Sequence, residues 1–299
     1  MILPPALKPG DQVAIVATAR KITHAEIAPA VAWLEGLGLQ AVVGSSIGLV
    51  ERQFAGTDAQ RLADLQQQLD NPQVRAIWCA RGGYGTVRLV DGIDWRGFDR
   101  SPKWLCGFSD ITVLHAALQK RAYASIHSCM PVNVAETPES AASLSSLWEA
   151  LQGRQPLYPT DGLQWARGEQ LQGQLVGGNL SVLYSLLGSP TFPDLTGKVL
   201  FLEDLDEYLY HLDRMMMALR RAGKLEGLAG LLVGSLTQMN DNAVAFGRTA
   251  EQILLEAAGG YDYPVVFGMP AGHQPLNLAL VMGGNFELRR AVSSATLSL

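Results

Sequence analysis

Trp104-Leu105-Cys106-Gly107-Phe108-Ser109-Asp110-Ile111-Thr112-Val113-Leu114-His115-Ala116-Ala117-Leu118 runs from a short apolar strand, through a turn, into a segment with helical apolar spacing. A serine at such a junction sits on a sharp turn, its hydroxyl thrust outward and a helix N-terminus beneath it. That geometry exposes a nucleophile and leaves the backbone N–H of Asp110 free to stabilise an oxyanion. Serine is also a preferred helix cap. Ser109 therefore has two readings, nucleophile or cap, which its surroundings must separate.

Working outward, the first half of the chain alternates strands with helices. Strands are expected at 13–17, 41–43, 74–79 and 104–107, and helices at 27–37 and 58–69, the latter capped by Thr57. This alternation predicts a parallel sheet covered on both faces. Gly153-Arg154-Gln155-Pro156-Leu157-Tyr158-Pro159 is polar and proline-bearing, as a linker would be. Beyond it, strands are expected at 171–175, 199–202, 228–233 and 264–268, helices at 212–222 and 250–257, and a final pair of strands over 286–299. The expected fold class is α/β, with an N-terminal parallel-sheet domain over 1–152 carrying the serine on its strand-to-helix elbow. A linker over 153–168 then leads to a mixed α/β domain over 169–299.

With 299 residues, almost half of them apolar, the chain has the material for two cores. A net charge of −5 without any Lys/Arg cluster argues against nucleic acid as a partner. The N-terminus has no basic segment ahead of an apolar core, and no apolar run reaches the roughly 18 residues of a membrane span. Cys79, Cys106 and Cys129 are widely spaced and odd in number, which suits free core thiols in a reducing cytoplasm better than disulfides or a metal motif.

A serine hydroxyl is a weak nucleophile unless a base takes its proton and a third group holds that base. Of the five histidines, His24 and His211 lie in polar segments, and His115 shares the serine's own helix. His127 ends an apolar run. His273 follows Phe267-Gly268-Met269-Pro270-Ala271-Gly272, a strand running into a loop, where side chains gather at the carboxyl edge of a sheet. For the acid, the apolar run Val199 to Leu202 ends in Glu203 and Asp204, either of which could orient the base or cap the next element. Ser, acid, His is also the chain order of the α/β-hydrolases, although Ile111 stands where their elbow has its second glycine.

Ala80-Arg81-Gly82-Gly83-Tyr84-Gly85 follows directly on a strand. Its spacing does not fit a dinucleotide loop. Closely spaced glycines let backbone N–H groups approach a ligand, as an oxyanion hole or carboxylate cradle requires, and they also suit a plain tight turn.

Taken together and in order, these motifs resemble the LD-carboxypeptidase family of serine peptidases, which includes murein tetrapeptide carboxypeptidases and microcin C self-immunity proteins. The resemblance runs through Phe54-Ala55-Gly56-Thr57-Asp58, Arg81-Gly82-Gly83-Tyr84-Gly85, Asp94-Trp95 and Gly107-Phe108-Ser109-Asp110. It continues through Gly177-Gly178-Asn179-Leu180, Leu202-Glu203-Asp204, Tyr210-His211-Leu212-Asp213-Arg214 and Gly272-His273. It implies Ser109 as nucleophile, His273 as base and Glu203 as orienting acid, with oxyanion donors at Asp110 and Gly83. It further implies a homodimer without metal or cofactor, acting on a small peptide or muropeptide. Arg81, Tyr84 and Asn179 are the expected substrate contacts, Arg81 as partner of the free carboxylate an exopeptidase must recognise. The alternatives are an immunity hydrolase acting on an aminoacyl-nucleotide toxin, and a muropeptide-binding protein without activity. Three segments depart from the family's usual pattern: Ala17-Thr18-Ala19-Arg20 in place of Ala-Pro-Ser, Ser128-Cys129-Met130 in place of Gly-Pro-Met, and Leu280-Val281-Met282-Gly283 in place of Leu-Pro-x-Gly. None touches the triad; the first two bear on the substrate's identity.

Overall fold

Apolar runs in the first half form five parallel strands, buried save for the edge strand β2: β1 (Gln12–Val16), β2 (Gln40–Val43), β3 (Val74–Cys79), β4 (Trp104–Gly107) and β5 (Ser125–His127). The computed structural model describes residues 1–290, so the part of the expected final strand pair over 291–299 lies outside the described residues. The second half supplies β6 (Gln164–Arg167), β7 (Gln170–Asn179), β8 (Lys198–Leu205), β9 (Gly230–Thr237), β10 (Val265–Phe267), β11 (Leu280–Met282) and β12 (Asn285–Arg289). The helices are α1 (His24–Gly36), α2 (Asp58–Asp70), α3 (Arg96–Arg100), α4 (Thr112–Lys120), α5 (Pro138–Leu151), α6 (Leu180–Ser185), α7 (Leu209–Arg221) and α8 (Ala250–Ala257). Thr57 caps α2 as expected, accepting from Gln60 N while Gln60 reaches back to it.

Two six-stranded sheets result, ordered β11-β5-β4-β3-β1-β2 and β12-β7-β8-β9-β10-β6. Two boundaries differ from expectation. The segment read as a linker over 153–168 contains β6, which pairs antiparallel with β10. The chain also returns late to the first sheet, where β11 pairs antiparallel with β5 through Leu280–His127 and Met282–Ser125. β6 has polar residues at both ends and β11 lies in sequence among strands of the second half, so neither shows its sheet partner in the sequence.

One apolar core joins the halves. Val113, Ala116 and Ala117 of α4 are buried with Val176, Leu180, Leu183, Leu200 and Leu202 of the second half, so the helix that follows Ser109 is packed between the two sheets. The Gly177-Gly178-Asn179 motif allows this close approach. A methyl group on Gly178 would fall 2.5 Å from Thr112 Oγ1, and Asn179 N donates to that same oxygen at 3.0 Å.

Candidate active site

Ser109 adopts φ +62°, in the left-handed region that a residue with a β-carbon enters at a cost of about 1–3 kcal/mol. No side chain caps the helical turn at Ser109–Ile111 or the start of α4, so the serine hydroxyl is not spent as a cap. Ile111 at the elbow has a packing explanation: a methyl on Gly107 would sit 2.9 Å from Ile111 Cγ1, so the isoleucine occupies the space that Gly107 leaves. The glycine loop lies against the elbow. A methyl on Gly82 would fall 3.2 Å from Ser109 Oγ and 3.4 Å from Asp110 N.

Glu203 is fully buried near the end of β8, and its Oε2 accepts from His273 Nδ1 at 2.7 Å and from His273 N at 3.3 Å. Gly272 makes this contact possible, since a methyl there would fall 2.7 Å from Glu203 Oε2 and 2.5 Å from Ser235 Oγ. The His273 ring lies 4.7 Å from the ring of Phe108, the residue before Ser109. Residues from both halves thus meet at the sheets' carboxyl edges. The expected Ser109–His273 hydrogen bond is not formed; such contacts are often loose until substrate draws them in. Burial pushes His273 toward the neutral form, but the hydrogen bond and charge of Glu203 outweigh it and raise the ring above its ordinary value.

Comparison with known proteins places this geometry. Residues 13–128 match the LD-carboxypeptidase N-terminal domain, and residues 172–288 match the LD-carboxypeptidase C-terminal domain. The chain belongs to the LD-carboxypeptidase family. A Bacillus subtilis (strain 168) protein named "Probable murein peptide carboxypeptidase" is 34% identical, over 98% of this chain and 93% of its own. The murein tetrapeptide carboxypeptidase of Pseudomonas aeruginosa is 33% identical, over 91% of each chain. The muramoyltetrapeptide carboxypeptidase structure from Oxalobacter formigenes matches at a TM-score of 0.79 and 26% identity, covering 93% of this chain and 94% of that one. The Microcin C7 self immunity protein MccF shares the fold at a TM-score of 0.88 and 19% identity, over 97% and 96% of the chains.

Two other histidines lie near the elbow of this LD-carboxypeptidase: His127, whose buried ring packs 5.7 Å from that of Phe108, and His115, which is occupied. His115 is fully buried, donates Nε2–H to Gly107 O at 2.9 Å and accepts from Ser125 Oγ at Nδ1, 2.8 Å. Burial lowers it to about 4, so it is neutral with both nitrogens engaged. Asp204, the second candidate acid, does not meet His273. Its carboxylate accepts from Asn179 Nδ2, Ser181 N and Leu205 N, each at 2.9 Å, and burial followed by repulsion from Glu203 raises it to about 7. Asn179, expected to touch substrate, is itself buried; its Oδ1 caps α6 through Val182 N, so both ends of the amide are engaged internally. Tyr84 is 46% exposed with its ring 6.2 Å from Phe54. Arg81, half-buried, lies 3.6 Å from Glu26 and donates to Lys21 O at 3.5 Å.

Two further residues hold the loops. Asp110 sends its buried carboxylate to Thr86 N at 2.8 Å, tying the glycine loop to the elbow. Arg61 is buried, donates to Thr18 O at 2.5 Å and Gly85 O at 3.2 Å, and pairs with Asp58. A signal for Arg61 exists in the sequence: with Leu65 and Leu69 it falls at four-residue spacing on the inner face of α2.

Proposed function

We propose that this protein is a serine-type LD-carboxypeptidase that releases the terminal D-amino acid, D-alanine, from murein tetrapeptides. Ser109 Oγ attacks the carbonyl of the L-configured centre of the penultimate diamino acid while His273 Nε2 takes its proton. Glu203 holds the ring and stabilises the imidazolium. The N–H groups of Asp110 and Gly83 receive the oxyanion of the tetrahedral intermediate. His273 then protonates the departing amine, the C–N bond breaks, and an acyl-enzyme remains on Ser109. Water, deprotonated by the same histidine, releases the shortened peptide. The observation that carries this reading is the 2.7 Å His273–Glu203 pair beside a serine held at φ +62°.

The test is mass spectrometry of the protein incubated with murein tetrapeptide. Loss of a single alanine is the expected result, and an intact peptide would overturn the reading. An aminoacyl-nucleotide incubated in parallel separates the immunity-hydrolase activity. We further infer a cytoplasmic homodimer, the location from three buried free thiols and the assembly from the family resemblance; light scattering tests the latter.

A further inference from the structure

An exopeptidase must hold a free carboxylate one residue beyond the scissile carbonyl, and four arginines surround the glycine loop. Three are occupied. Arg61 is buried on the carbonyls of Thr18 and Gly85 and on Asp58. Arg88 pairs with Asp58 through Nε at 2.8 Å. Arg81 faces Glu26. The fourth, Arg20, is exposed, and its guanidinium has no acceptor within hydrogen-bond distance among the described residues.

Arg20 is nevertheless held in place. Its backbone N donates to Gly82 O at 3.4 Å, and it forms an antiparallel bridge with Phe54. Its side chain lies across the next glycine: a methyl on Gly83 would fall 2.6 Å from Arg20 Cδ and 2.7 Å from its Nε. Gly82 faces Ser109 Oγ, and Gly83 faces Arg20. Consecutive α-carbons stand about 3.8 Å apart. That step from Gly82 to Gly83 matches the one-residue step in a substrate from the scissile carbonyl to its terminal carboxylate. Arg20 also closes Ala17-Thr18-Ala19-Arg20, the segment that departs from the family's usual loop.

Resting on the carboxypeptidase reading above, we propose that Arg20, and not Arg81, receives the terminal carboxylate of the substrate and makes the enzyme selective for a free C-terminus. The planar guanidinium suits a carboxylate in two-point contact. Arg81 would first have to leave Glu26.

The test measures kcat/KM for a murein tetrapeptide and for the same peptide amidated at its C-terminus, in wild type, Arg20→Met, Arg20→Lys and Arg81→Met. Wild type and Arg81→Met are expected to favour the free acid. Arg20→Met should lose about 10- to 100-fold on the acid and little on the amide, the range for a charge-assisted contact. Arg20→Lys should recover part of the preference, because it restores charge without the fork. An acid preference that survives in Arg20→Met, or an equal loss on both peptides, overturns the assignment to Arg20. A wild-type protein that cleaves neither peptide fails earlier, at the carboxypeptidase reading itself.

Discussion

At the scale of single residues, Ser109 sits in a conformation that glycine would adopt more readily, and stability and chemistry should therefore part company there. Ser109→Ala should fold as wild type does and lose about 10⁴- to 10⁶-fold in turnover. Ser109→Gly should be equally inactive yet more stable by about 0.5–1 kcal/mol, since it releases the strain at φ +62°. Urea unfolding and product release by mass spectrometry check both. A variant keeping a tenth of wild-type activity would remove Ser109 from the mechanism. Glu203 invites a pH experiment. In the proposed mechanism His273 must be neutral to accept the serine proton, and its folded value is raised above the ordinary 6.5, so kcat/KM should fall as pH drops through a point above 6.5. In Glu203→Gln both raising influences of Glu203 are gone and only the charge of Asp204 is left against burial, so the acid limb should move to lower pH. Turnover should fall less than in Ser109→Ala, because the amide keeps the shape of the pair. The stability linked to His273 has the opposite pH sense: the protonated pair stabilises the fold fully below the unfolded value and loses that contribution as pH rises through the folded one.

At the scale of elements, Asp204 and Asn179 show how a motif can resemble a binding site and serve as a joint. Asp204→Asn keeps the volume of the side chain but leaves Ser181 N, at the start of α6, with a poorer acceptor. Activity should change less than in Glu203→Gln, while the unfolding free energy should drop by about 1–2 kcal/mol, the usual worth of a helix cap. Greater damage to catalysis from Asp204→Asn than from Glu203→Gln, measured side by side, would exchange the roles of the two acids. Much at this scale was legible from the residues: β3 (Val74–Cys79), β4 (Trp104–Gly107) and α8 (Ala250–Ala257) lie where apolar runs and turn residues put them. What stayed hidden was polar and internal. Lys103 is fully buried, donating to the carbonyls of Gln68, Leu69 and Asn71 at 3.0, 2.8 and 2.7 Å, so it satisfies the end of α2. Burial lowers it to about 8. A lysine read by hydropathy alone belongs to the surface, and only the carbonyls awaiting it explain its position.

At the scale of the whole molecule, the proposed base, His273, is fastened to the half that carries the proposed nucleophile, Ser109, although it lies far beyond it in sequence. The segment after His273 crosses α5 and enters the first sheet as β11. Asn277 N donates to Ser143 Oγ and Ala279 N to Ser146 Oγ, each at 2.9 Å, before Leu280 pairs with His127. Glu203, on the second sheet, then meets His273 from the opposite side. The histidine therefore bridges the two sheets. No pattern in the sequence announces this, because Ser143 and Ser146 look like solvent-facing residues of a helix and β11 is three residues long. The double variant Ser143→Ala/Ser146→Ala tests the arrangement without touching the proposed triad. It leaves two buried N–H groups without acceptors, at a cost on the order of 1–3 kcal/mol each. Urea unfolding should show that loss. Turnover should fall with it, because the loop carrying His273 is freed at its far end. If the double variant unfolds earlier but keeps wild-type kcat, the serines serve stability alone, and the Glu203 contact suffices to position the base.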